Sequence, residues 1–365
     1  MSHVQVIPAA GGLRCGEGSR EDQASRLRAM VRHTPAGHNG SVRSVAQTEA
    51  HSKARPGTGQ RTRSPIVALS SGKGGVGKTV LSVNLAIALA HRVPRIVLID
   101  ADVGTANADV LCGLLPSRRL DQIDGNGAGS DEGLLGIAID APGGFLLVPG
   151  SVGRAGDSTP SERSMANLVN RASRSTDAVL IDTGAGVGDE VLSILTRADL
   201  VVVVVTPDPT SIADAYALIK AHLMRARDHG ATDPAEARLS LVVNMAQTEE
   251  EALRVHRRLA GVAQRFLGAA VPMIGWVCAD ATLARTVRER APLMNAPGQS
   301  RARDQVRQVA DGLCTRLGLD ATCADTPPER PAWRLFGRWW AGTRRSRSPA
   351  HNGRPNRTPN GKSNA

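Results

Sequence analysis

The chain has 365 residues, 41% of them hydrophobic and 22% charged, with aromatics at only 2% and a formal net charge of +11. That length suits one large or two ordinary domains, and the composition is that of a globular protein whose core must be built from Val, Leu, Ile and Ala. It contains no apolar run of about 18 residues that could span a bilayer and no apolar N-terminal core of a signal peptide, and Cys15, Cys112, Cys278, Cys314 and Cys323 show neither CxxC pairing nor metal-ligand spacing, so reduced thiols in a cytosolic protein are expected.

Residues 1–63 carry ten Lys/Arg against four Asp/Glu, and their Gly, Ser, Pro, Arg and His content predicts a disordered basic tail. One island, Glu21 to Val31, has helical spacing over about 20–32. Ala24, Leu27 and Val31 share a face, with acidic residues first and arginines later, as the helix dipole prefers. From Pro65 the pattern changes. Ile66–Leu69 reads as a buried strand, followed by a glycine-rich loop, a helix over Val80–His91 and a second strand over Arg95–Asp100. Further strand-like runs fall at Gly144–Pro149, Ala178–Asp182, Leu200–Thr206, Leu239–Asn244 and Met273–Val277, with helical segments between them. Continuous β-branched runs alternating with helices predict a single α/β domain over 64–319, a mostly parallel sheet with helices on both faces.

Residues 320–365 turn rich in Pro, Arg, Ser and Asn and predict a second disordered basic tail; from 326 onward it holds nine Lys/Arg and one Glu. The basicity therefore lies in the tails, and residues 64–325 are slightly acidic. This favours tails that meet an anionic surface over a domain lying on nucleic acid. Within the second tail, 332–341 is amphipathic. Trp333, Leu335, Phe336, Trp339 and Trp340 fall on one side at helical spacing and Arg334 and Arg338 on the other, a pattern suited to an anionic membrane interface. The same stripe could instead pack on the protein's own core.

Ser71-Gly-Lys-Gly-Gly-Val-Gly-Lys-Thr79 joins the first strand to the first helix, the setting a phosphate-binding loop requires. Backbone N–H groups of Gly74, Gly75, Val76, Gly77, Lys78, Thr79 and Val80 can curl around phosphates, aided by the positive end of the helix. Lys78 is the expected ligand of the β- and γ-phosphates, and the Thr79 hydroxyl that of Mg²⁺.

Lys73, just inside the loop, resembles the signature of the deviant-Walker ATPases, the family that includes MinD, ParA, the nitrogenase iron protein and the arsenite pump. The resemblance implies a P-loop NTPase of the SIMIBI class, with ATP and Mg²⁺ as cofactors and an ATP-bound sandwich homodimer. Lys73 would then act across the interface on the partner's nucleotide, as an arginine finger does. The other landmarks follow in order. Asp100-Ala-Asp102, with Asn107 beyond, resembles the first switch, implying that Asp102 organises the Mg²⁺ shell and the attacking water, with Asp100 in support. Asp182-Thr-Gly-Ala-Gly resembles the second switch, implying that Asp182 holds the metal-bound water. Asn244 falls where the family reads adenine, although Cys278-Ala279-Asp280 stands where the family usually has a proline against the base.

Asp22-Gln23-Ala24-Ser25-Arg26-Leu27-Arg28 reproduces the DQAxxLR element of flagellar-number regulators of the FlhG type, and Thr206–Lys220 also looks closest to that branch. Pro209-Thr210-Ser211 has a plain reading too, as a helix start. The resemblance implies that Gln23, Leu27 and Arg28 engage an FlhF-like GTPase, that flagellar switch-complex proteins are further partners, and that the protein is cytoplasmic and returns reversibly to anionic lipid of the inner membrane through Trp333, Phe336, Trp339 and Trp340. The alternative is a ParA-type segregation ATPase on nonspecific DNA, which the charge distribution disfavours. Tyr216 is the single tyrosine, unlike the tyrosine cluster of the related bacterial kinases.

Overall fold

A computed structural model describes residues 63–103, 105–122, 137–151 and 160–319. The expected helices at about 20–32 and 332–341 lie outside the described residues, as do Cys15 and Cys323. The elements in chain order are β1 (Ile66–Ser71), α1 (Lys78–Ala90), β2 (Ile96–Ala101), the single turn α2 (Ala108–Leu111), β3 (Ile139–Ala141) and β4 (Phe145–Val148). They are followed by α3 (Glu162–Ser175), β5 (Ala178–Ala185), α4 (Asp189–Leu195), β6 (Leu200–Val205), α5 (Pro209–Asp228), β7 (Leu239–Ala246), α6 (Glu249–Leu267), β8 (Met273–Cys278), α7 (Ala281–Arg288) and α8 (Arg301–Leu317).

One sheet of order β3-β4-β2-β5-β1-β6-β7-β8 carries them all, parallel except at its β3 edge. Strands β1, β2 and β6 are buried along their whole length because helices cover both faces. Val67, Leu69, Leu98 and Leu180 pack with α1 and α8, whereas Ile66, Ala68, Ile99 and Ile181 pack with α3, α4, α5 and α6. The pleat thus assigns alternate residues of the same apolar run to different cores.

Strand β3 is absent from the sequence reading. Only three residues long and half-polar, it has no periodicity to recognise; it exists because a Pro142-Gly143-Gly144 turn, with both glycines at φ near +90°, folds it back on β4. Helix α1 begins at Lys78, two residues earlier than the apolar pattern indicates, since Gly77 in the left-handed conformation starts it directly from the loop.

The chain leaves β1 to build one half of the sheet, returns through β5 beside β1, and then builds the other half from β6. The carboxyl end of β1 is therefore the point at which strand order reverses, where open α/β sheets bind ligands. At the opposite end, Asp199 accepts two hydrogen bonds from Arg63, at 2.7 and 2.9 Å, and a third from the Ile66 N–H. Arg63 lines the same cleft as Arg316 and Leu317, so the first described residue and the end of α8 lie together at the end of the sheet remote from the glycine-rich loop. Among the described residues no helix is long and apolar enough to cross a membrane.

Helix α8 closes on β8 through Gly275, where an added Cβ would lie 2.6 Å from Val309 Cγ2. Gly275→Ala should therefore lower stability by about 1–3 kcal/mol in urea melts, and adding Val309→Ala should recover part of that loss. Two independent, additive losses would show that this contact is not the close one.

Candidate nucleotide site

The glycine-rich loop spans the gap from β1 to α1 at the strand reversal. Each of its ends is keyed to a different element. A Cβ on Gly72 would meet the Asp214 carbonyl oxygen in α5 at 2.0 Å, so only glycine lets β1 pass α5 so closely. Gly75 and Gly77 sit at φ +80° and +81°, and a Cβ on Gly77 would lie 2.5 Å from the Asn244 side chain. Above Gly74 and Gly75, by contrast, nothing lies within 4 Å of an added Cβ. Helix α1 has no side-chain cap and no acidic residue in its first turn, leaving its N–H groups for an anion.

Lys78 and Asp182 form the centre of the site. Lys78 Nζ donates to Asp182 Oδ1 at 2.9 Å, with the side chains 6% and 0% exposed. Ser82, one turn further along α1, donates to the same oxygen at 2.8 Å. Asp182 Oδ2 is buried without a hydrogen-bond partner among the described residues, an acceptor open to a metal-bound water. Ser82 was missed in the sequence, although its position four residues after Lys78 places both on one helix face.

Asp100 lies beside Asp182 as its register partner on β2. Burial, and then the Asp182 charge, raise its pKa to about 7, against the opposing pull of N–H donors. Its oxygens accept from the N–H groups of Asp102, Asn107 and Ala108 at 3.2, 3.0 and 2.9 Å. Asp100 thus caps the α2 turn and fixes the path of the Asp102 segment. Asp102 is half-buried, and its Oδ1 accepts from Thr105 Oγ1 at 2.7 Å. The same oxygen would lie 3.6 Å from a Cβ on Gly184, so the segments after β2 and at the end of β5 meet there. Thr79 is half-buried in the first turn of α1, and its hydroxyl has no partner among the described residues.

Asn244, towards the carboxyl end of β7, is 3% exposed and donates through Nδ2 to the Val76 carbonyl at 2.8 Å, leaving Oδ1 buried and without a partner among the described residues. Asp280, in the stretch that departs from the family pattern, accepts from Thr282 N and Ser300 Oγ, joining the starts of α7 and α8. Lys73 extends from the loop to the start of α5, where Asp208 and Thr210 hold it; the sequence reads Thr210 as part of a helix start within the branch-like stretch Thr206–Lys220 and gives Asp208 no role of its own. Gln23, Leu27, Arg28, Trp333, Phe336, Trp339 and Trp340 lie outside the described residues.

Residues 67–293 match the family described as the CobQ/CobB/MinD/ParA nucleotide binding domain (CbiA). The chain belongs to the MinD/ParA family of P-loop ATPases. Among relatives, it is 39% identical over 249 residues to the antiactivator FleN of Pseudomonas aeruginosa, an alignment covering 67% of this chain and 84% of FleN. To the flagellum site-determining protein YlxH of Helicobacter pylori it is 31% identical over 264 residues, 70% of this chain and 84% of YlxH. The MinD/ParA fold is seen also in the Pyrococcus horikoshii septum site-determining protein MinD, solved with Mg-ADP. The two share 18% identity and a TM-score of 0.58, over 71% of this chain and 99% of that one.

Removing the Asp182 carboxylate leaves the Lys78 ammonium buried and unpaired. Asp182→Ala should therefore cost the nucleotide-free protein about 3–5 kcal/mol, and ADP should raise its melting temperature more than it raises that of the unsubstituted protein. Equal shifts in a thermal melt would show that Lys78 is not the group that changes partners.

Proposed function

We propose that this ATPase is a nucleotide-controlled spatial switch that regulates flagellar number or placement. What supports the reading is the 31% identity to YlxH, named as a flagellum site-determining protein, together with the 39% identity to the antiactivator FleN, both across the ATPase domain.

ATP and Mg²⁺ fit the residues present. Gly74 and Gly75 leave open space over the loop, the α1 N–H groups are uncapped, and Lys78 stands ready to exchange one anion for another. Thr79 and Asp182 would hold the metal, with Asp182 acting through bound water, and Asp102 would orient the attacking water. Mg²⁺ bound here would neutralise charge on the phosphates. Asn244 Oδ1, an acceptor with no donor, suits the exocyclic amine of adenine and not the carbonyl that guanine carries at the equivalent position. Lys73 would act across an ATP-bound homodimer.

In this reading dimerisation doubles the membrane-binding segments. A single Trp333–Trp340 segment gains a few kcal/mol from its aromatic side chains and about 1 from each nearby Arg, offset by the cost of ordering a helix. Two copies together bind by avidity. The element around Gln23, Leu27 and Arg28 would meet an FlhF-like GTPase, and switch-complex proteins of the flagellum would be further partners. The meeting of Arg63 and the end of α8 at one end of the sheet supports the tails' acting from the same side of each protomer.

Sedimentation with anionic liposomes tests the membrane arm. Pelleting should require ATP, persist in Asp102→Ala, and disappear in a chain truncated after Pro331. No pelleting with either ATP or ADP would contradict it, and ATP-dependent binding to nonspecific DNA instead would favour the segregation reading. Deleting residues 20–32 should abolish stimulation of an FlhF-like GTPase; stimulation that survives the deletion would remove that partner.

A further inference from the structure

Lys73 does not hang free in solvent at the edge of the loop. Its Nζ donates to Asp208 Oδ2 at 2.9 Å and to Thr210 Oγ1 at 2.6 Å, both at the start of α5 and more than 130 residues away in sequence. The two acceptors are themselves fixed. Asp208 Oδ1 accepts from the Thr210 N–H at 2.7 Å, and Pro209 occupies the first turn of α5. The lysine backbone is held as well, since Ser71 Oγ donates to the Lys73 carbonyl at 2.9 Å and Gly72 is wedged against Asp214. Helix α5 therefore sets both the main-chain path and the side-chain direction of Lys73.

An ammonium has three donors. Asp208 and Thr210 take two, and the Lys73 side chain remains 39% exposed, so one N–H has no acceptor among the described residues and is open to one from a partner. A contact meant only to neutralise a surface lysine needs neither a second acceptor nor a pre-fixed carboxylate, and isolated exposed ion pairs contribute little to stability.

We propose that Asp208 and Thr210 are positioning residues for Lys73, holding its ammonium so that its remaining donor faces the nucleotide of a partner subunit. The proposal rests on the reading of Lys73 as a group acting in trans. In this proposal Asp208 acts through the lysine, to which its Oδ2 is bonded. The geometry is present in the single chain, so the lysine is oriented before dimerisation instead of being ordered by it, which reduces the reorganisation left for the reactive complex.

Steady-state ATP hydrolysis by the full chain provides the test, with four variants. Asp208→Asn keeps an oxygen for the Thr210 N–H while removing the charge from Lys73. It should lower kcat about tenfold, as misplacement of a reacting group does, with KM for ATP and the melting temperature unchanged. Asp208→Glu should recover part of the rate, and Thr210→Val should show a smaller loss of the same kind. An unchanged or faster kcat for Asp208→Asn, while Lys73→Ala abolishes turnover, would overturn the positioning role alone. Full turnover in Lys73→Ala would overturn both that role and the reading of Lys73 on which it rests.

Discussion

A lysine and an aspartate paired out of water, Lys78 with Asp182, are the constraint around which the nucleotide site is organised. Desolvating two charges is costly, and their attraction compensates only when the geometry is good and the remaining lone pairs are satisfied. Here Ser82 supplies one further hydrogen bond and Asp182 Oδ2 has none, so the pair is incompletely satisfied. A polyphosphate and its metal would complete it, giving Lys78 a new anion and Asp182 a hydrated cation. The energetic link between an empty and a filled site thus runs through this pair, and through the two elements that carry it, α1 and β5.

The neighbouring Asp100 shows why the two switch segments are coupled. Register places it beside Asp182, two carboxylates sharing one lysine, and its pKa near 7 reflects burial first and that repulsion second. Its oxygens are spent on main-chain donors that shape the turn carrying Asp102. A change of charge at Asp182 is therefore felt at Asp100 and can be passed to Asp102, which already lies against Gly184.

Much of this was legible in the sequence because the relevant signals are local. The phosphate loop, the buried strands that precede it and the carboxylates ending β2 and β5 each declare themselves within a few residues, and the core strands appear where continuous Val, Leu and Ile runs predict them. What could not be read locally depends on approach from elsewhere in the chain. Lys73 stands out in the loop by resemblance, but its bonds to Asp208 and Thr210 come from α5, more than 130 residues away. Thr210 reads as part of an ordinary helix start, and Asp208, its cap in the fold, carries no signal of its own. Asp100 reads by resemblance as a supporting residue of the first switch, and the fold adds a second task, capping α2 through the N–H groups of Asn107 and Ala108. Strand β3 was invisible because three residues carry no period, and only the Pro142-Gly143-Gly144 turn before β4 hinted at a hairpin. Asn244 was recognised by position alone; its orientation, with one amide face tied to Val76 and the other left open, belongs to the folded site.

The chain belongs to the MinD/ParA family, and the proposed function turns on ATP joining two copies of it and hydrolysis separating them. Sedimentation velocity of the full chain carrying Asp102→Ala tests it most directly, since that variant should bind ATP and fail to turn it over. The account predicts a dimer with ATP and Mg²⁺ and a monomer with ADP. A monomer under both conditions, with ATP binding confirmed in the same samples, would contradict it.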